Sequence, residues 1–167
     1  KLGSSSEKII NAEIKYCDIE NECLPYESER FDLVLINQVL EHCKNIHHIT
    51  SEIIRVTKVK GSFIIGVPNI AALHNRVLLL LGSQPSCIQL DSGHVRGFSA
   101  KALNKFIKKI GSGSVLFVEA KGGNFYPFNP FIAKNLANIF PTFAVSIFLR
   151  FDKTKKYNQS YIKNLQK

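Results

Sequence analysis

The 167-residue chain contains no methionine and no tryptophan. Average usage would supply several methionines, and an intact translation product opens with one. A chain that begins Lys1-Leu2-Gly3 is therefore expected to be a piece of a longer product, with an upstream segment missing or supplied by a partner chain. Cysteine is sparse. Cys17, Cys23, Cys43 and Cys87 make no C-x-x-C pair and no zinc spacing, which excludes a thioredoxin-type motif and a zinc finger and leaves free thiols in a cytoplasmic protein. Long apolar runs are lacking as well. Residues 77–81 are far too few to cross a bilayer, and the apolar stretch 125–151 is broken by Pro127, Pro130, Pro141 and Lys134. No secretory leader stands at the start. Glycine is never arranged as G-x-G-x-x-G; Gly111-Ser112-Gly113 and Gly122-Gly123 come late and in the wrong context for a dinucleotide fingerprint.

Acidic residues are also few, 13 against 22 Lys and Arg, and the formal net charge is +9. Such a balance invites a nucleic-acid reading, but its distribution argues otherwise. Arg150, Lys153, Lys155, Lys156, Lys163 and Lys167 face a lone Asp152, so much of the excess belongs to a solvated tail. Lys101, Lys105, Lys108 and Lys109 recur at helical spacing and read as a wet helix face. Nucleic acid is not the expected partner. Peripheral contact with an anionic membrane surface is the stronger of the two readings.

What is present is an alternation of short apolar runs and amphipathic stretches. With 45% hydrophobic residues, the chain can bury one core, and a single domain over residues 1–152 with a disordered basic tail at 153–167 is expected. Residues 33–36 form an unbroken apolar run, the signature of a strand buried on both faces in a parallel sheet. Strands are likewise expected over 12–17, 62–67, 115–120 and 144–151. Lys60-Gly61 is expected to turn the chain into the 62–67 strand. Ile49, Ile53, Ile54 and Val56 mark a helix over 46–56, and further helices are expected over 71–81, closed by Gly82, and from the N-cap Ser99 to Gly111. Residues 1–7, 83–97 and the Phe- and Pro-rich stretch after Gly122-Gly123 read as loop. A loop as long as 83–97 inside a compact domain is often a lid.

Several pieces then fall into a known order: Leu24-Pro25-Tyr26, Phe31-Asp32-Leu33-Val34-Leu35, Val39-Leu40-Glu41-His42, Glu52-Ile53-Ile54-Arg55-Val56 and Gly61 to Asn69. Together they resemble the middle of a class I S-adenosylmethionine-dependent methyltransferase, and His94 with Phe98-Ser99 resembles the segment that follows in many members. The resemblance covers roughly residues 10–120. It implies an α/β, Rossmann-like sheet of order 3-2-1-4-5-7-6 with an antiparallel last strand. Residues 13–17 would be its third strand, so the first two strands and the Gly-rich donor loop are not in the chain. An incomplete sheet, or a nonstandard pairing of third and fourth strands, is the expectation. The lysine-glycine turn also departs from the family, which carries Lys-Pro-Gly-Gly where this chain has Lys58-Val59-Lys60-Gly61.

In open α/β sheets, ligands bind beyond the carboxyl ends of the strands. The resemblance places the S-adenosylmethionine contacts at Asp18 and Ile19, for the adenine, and at Asn37 and Gln38, for the methionine end. An amide suits an amino-acid head group because it both donates and accepts. His42 and His94 are the candidate bases, since imidazole titrates near neutrality. Pro68, Asn69, His94 and Arg96 are the candidate acceptor contacts. No metal is expected: His42, His47 and His48 are spaced so that they do not share one helical face. The acceptor reads only as a small molecule or a glycan- or lipid-linked group. Two other readings stand beside the enzyme, namely a non-catalytic remnant or split half that serves as an interaction module, and a membrane-peripheral methyltransferase.

Overall fold

The computed structural model describes residues 13–158. The loop expected at 1–7 and the end of the basic tail lie outside them. Four strands form one open sheet: β1 (Phe31–Asn37), β2 (Thr57–Pro68), β3 (Val115–Gly122) and β4 (Ser146–Lys153), in the order β1-β2-β4-β3. β1 and β2 are parallel, and β4 lies antiparallel between β2 and β3. This is the 4-5-7-6 portion of the expected order, with the last strand reversed as expected. Among the described residues the fold is a mixed α/β, Rossmann-like sheet, open on the β1 side.

Residues 13–17 do not form the expected strand. In the expected order their neighbour is the second strand, and no described segment takes that place. Apart from half-buried Cys17, their side chains are exposed. An alternating pattern without a ladder partner has nothing to hold it extended.

β1 and β2 are joined by the amphipathic helix α1 (Ile46–Val56), whose N-cap Asn45 accepts from His48 N at 3.3 Å. Ile46, Ile49, Ile53 and Ile54 point inward from it. β2 starts five residues earlier than the spacing implies, and no turn interrupts it at Lys60-Gly61. Instead the ladder with β1 slips between Phe31 and Leu33, and Lys60 takes φ +69°. A Cβ at Gly61 would stand 2.9 Å from Asp32 O, so glycine lets the two backbones close over this bulge.

α2 (Leu73–Leu80) ends at Gly82 with φ +73°, as its glycine foretells. α3 (Ala100–Gly111) is capped by Ser99, which accepts from Ala102 N at 3.3 Å, and its left-handed C-terminal residue is Ser112 rather than Gly111. Leu103, Ile107 and Ile110 of α3 meet α1 on one face of the sheet. There they bury Phe63, Ile65, Val67, Ile147, Leu149 and Phe151. A fourth helix, α4 (Pro130–Ile139), occupies the stretch read as loop, with Asn129 as N-cap and proline in its first turn. β4 runs on through Lys153, whose ammonium is buried and donates to Thr57 O at 2.8 Å. Burial draws that ammonium below its ordinary value, against the pull of Glu29.

Candidate active site

Because β1 and β2 are parallel, Asn37 and Pro68-Asn69 emerge at the same end of the sheet. The chain leaves β1 through Gln38, held at φ +55° with its N–H on Gly66 O at 2.9 Å. A left-handed glutamine is uncommon, and such backbone strain clusters at functional sites. A Cβ at Gly66 would run into Asn37 Oδ1 and the Phe148 ring, so the glycine leaves room for the Asn37 amide to lie across β2. The turn Leu40–His42 follows.

A hollow of about 470 Å³ opens beside β1 and α1, lined by Ile19, Leu24, Val34, Ile36, Asn37, Val39, Ile49, Glu52 and Ile53. Ile19 and Asn37, two of the sequence-predicted donor contacts, therefore share one concavity. Asp18 does not line it. Its carboxylate accepts from Glu20 N at 3.0 Å and from Asn21 Nδ2 at 2.8 Å. The Asn21 amide and then the Glu20 N–H hold that exposed carboxyl below the usual aspartate range.

The loop that carries Ile19 is fastened by residues that sequence reasoning passed over. Glu20 Oε2 accepts from both Lys44 N and Asn45 N at 3.0 Å, placing a carboxylate on the N-terminus of α1. His48 Nε2 meets Glu22 O at 2.8 Å. The next turn is held by Glu52, buried on α1, which takes Leu24 N at 2.8 Å and a two-pronged grip from Arg55 at 2.8 and 2.7 Å. Arg55 then reaches Leu24 O and Tyr26 O. Burial pushes the Glu52 carboxyl up, but the Arg55 and Leu24 hydrogen bonds outweigh it and the net displacement is downward.

On the other side of the turn, the structure brings together residues far apart in sequence. The rings of His42 and His94 meet edge to face, centroids 4.6 Å apart. His42 Nδ1 lies 3.1 Å from Gly93 O, and His94 Nδ1 lies 2.7 Å from Cys87 O. A carbonyl only accepts, so each Nδ1 carries a proton, and in the neutral ring the lone pair lies on Nε2. Val95 N donates to Glu41 O at 2.8 Å, and Arg96 Nη2 to Lys44 O at 2.9 Å. The loop 93–96 is thus stitched to residues 41–44. Arg96 spends part of its guanidinium on that seam.

Glu41 is 1% exposed, and neither of its carboxylate oxygens has a hydrogen-bond partner. Asn69 is the opposite case. It is wholly buried, its Nδ2 donates to Thr142 O and Ala144 O at 2.9 and 2.8 Å, and its Oδ1 accepts from Ala71 N at 3.0 Å. Those bonds tie the end of β2 to the start of β4 and to the entry of α2, and they occupy the amide. Pro68, half-buried, closes β2 just before it.

A second hollow, about 700 Å³, lies between α2 and the loop after β3. It is lined by Leu73, His74, Val77, Leu78, Ser86, Asn124, Tyr126, Pro127 and Val145. No helix among the described residues is long and apolar enough to cross a membrane.

The family model described as a methyltransferase domain matches residues 2–65. No curated protein matches the chain in sequence. Among solved structures, a SAM-dependent methyltransferase from Thermotoga maritima, a possible histamine N-methyltransferase, superposes with a TM-score of 0.55 at 20% identity, over 81% of this chain and 61% of that one. A SAM-dependent methyltransferase from Archaeoglobus fulgidus gives 0.53 at 11% identity, over 82% and 66%. The 1,6-didemethyltoxoflavin-N1-methyltransferase of Burkholderia thailandensis, solved with 1,6-didemethyltoxoflavin and S-adenosylhomocysteine bound, gives 0.51 at 14% identity, over 83% and 49%. The chain spans less than two thirds of the length of each. Sheet order, reversed last strand and these likenesses agree: the fold is a Rossmann-like α/β sheet similar to those of these S-adenosylmethionine-dependent methyltransferases.

Proposed function

We propose that this chain forms the far wall of the donor cleft of an S-adenosylmethionine-dependent methyltransferase, the Gly-rich near wall lying outside the described residues. The observation that carries the proposal is the single hollow shared by Ile19 and Asn37 at the carboxyl end of β1. The residues present fit half of the donor. Ile19 offers an apolar flank and a backbone N–H to the adenine, and the Asn37 amide offers a donor and an acceptor to the amino-acid end, with Gln38 beside it. Asp18 takes part only if its Asn21 and Glu20 bonds are exchanged for the adenine amino group.

When bound, the donor supplies a sulfonium-activated methyl group. The protein's own task is to hold the acceptor within about 3–3.5 Å of that methyl and to exclude water. Nε2 of His42 and of His94, each with a free lone pair, can take a proton from the acceptor where the attacking atom must lose one. The stitching of residues 93–96 to 41–44 supports reading His94 and Arg96 as acceptor contacts. The 700 Å³ hollow gives an apolar part of the acceptor a place to lie.

Calorimetry on the full-length product with S-adenosylhomocysteine tests the reading. Binding is expected, and Asn37→Ala should weaken it about tenfold, the loss of roughly one to two hydrogen bonds to a charged head group. No heat with either S-adenosylhomocysteine or S-adenosylmethionine would overturn it.

A further inference from the structure

Among the described residues, the cluster of His, Cys, Asp and Glu that can gather round one ion is Glu41, His42 and His94, with one ligand atom from each lying within 4.8 Å of the others. Spacing alone keeps His42, His47 and His48 off one helical face. It could not see a histidine arriving from another loop.

We propose that Glu41, His42 and His94 bind a single divalent transition-metal cation. The first support is Glu41 itself. A buried carboxylate normally has a partner, because an unpaired one carries a desolvation penalty of several kcal/mol. Here both oxygens lack a hydrogen bond, and no basic group stands within ion-pair distance among the described residues. A cation between this carboxylate and the two imidazoles would resolve the orphan.

The second support is independent and concerns the histidines. A metal-ligating imidazole characteristically donates its other ring N–H to a carbonyl or carboxylate, which sets tautomer and ring angle. Both rings already do so, His42 to Gly93 O and His94 to Cys87 O, leaving both Nε2 atoms available. Two imidazole nitrogens with one carboxylate suit Fe²⁺, Co²⁺ or Zn²⁺ and leave coordination positions open; with the ion bound, both Nε2 lone pairs are spent on it, and proton acceptance passes to water at an open position. His42 is exposed while Glu41 is buried, so the open positions face outward, where water or an oxygen of an acceptor can enter. Ligands at about 2.1 Å from an ion stand roughly 3–4 Å apart, and one ligand atom from each of the three residues already lies within 4.8 Å of the others.

The test is Co²⁺ titration of the 167-residue chain, read by calorimetry and by the visible spectrum of the ion. One ion per chain is expected, with nitrogen–oxygen bands and no sulfur charge-transfer band. Glu41→Gln and His94→Ala should each weaken binding at least tenfold, while His47→Ala leaves it unchanged. His94 lies on a surface loop, so its variant decides the matter even if the buried Gln is not tolerated. Absence of stoichiometric binding, thiolate bands, or wild-type affinity in His94→Ala would overturn the site. The readout is separate from the donor experiment. Cobalt without S-adenosylhomocysteine binding leaves the metal site standing and removes the methyltransferase reading, and the converse result does the reverse.

Discussion

The two faces of the sheet differ in composition and in cover. On one, the row Val34, Phe63, Phe151 and Phe117 runs across all four strands under α1 and α3. Phe63 and Phe151 stack at 5.3 Å and are 0% exposed. On the other, the neighbouring row is Leu33, Ser62, Asp152 and Leu116, in which Leu33 and Leu116 are 57% and 55% exposed and Leu35, one pleat on, is 63% exposed. Period-two alternation states which residues share a face, but not which face will be covered. Coverage depends on what else is present. A parallel strand such as β1 ordinarily has both faces buried; among the described residues nothing covers its Leu33 and Leu35.

The sharpest test of that contrast is a pair of truncations. Phe151→Ala should lower unfolding free energy by about 3–5 kcal/mol, through lost burial and the cavity left behind. Leu35→Ala should cost under about 1 kcal/mol in this chain. Urea denaturation of both measures the difference. In the full-length product the second value should climb towards the first if upstream structure packs on that face. A small value in both contexts would mean that the leucines stay wet.

A smaller but pH-dependent effect concerns Glu52, which ties residues 24–26 to the covered face through Arg55. Glu52→Gln should cost about 3 kcal/mol at neutral pH, since it leaves a largely buried guanidinium without its counter-charge. The folded carboxyl lies below its ordinary value of 4.5. Its contribution is therefore complete above that range and disappears as the pH falls through the lowered value. The wild type should lose stability through this acid range, and Glu52→Gln should show a flatter acid limb in thermal melts at stepped pH. The smallest effect expected is at Ser99. Its replacement by Ala should cost about 1 kcal/mol by removing the cap of α3.

Much of the fold was legible because its signals are local. The apolar run at β1, the isoleucine spacing of α1, Gly82 and Ser99 each act within a few residues of themselves. α4 was hidden because three prolines suggested loop throughout, although Asn129-Pro130 is a good cap and first-turn pair. The bulge at Lys60 was read as a turn because glycine serves both purposes. The failed strand at 13–17 shows alternation without a partner. At the site, Asn37, Gln38, His42 and His94 were named by resemblance to a family pattern. The lone carboxylate of Glu41 and the anchoring work of Glu20 were not readable, since both depend on what approaches from 24 or more residues away.

The seam between residues 93–96 and 41–44 has a mechanical consequence. Its three cross-links run from His42 to Gly93, from Val95 to Glu41 and from Arg96 to Lys44. Because they join the loop that carries His94 to the turn that carries His42, the two imidazoles share one mounting, and whatever displaces one is expected to displace the other.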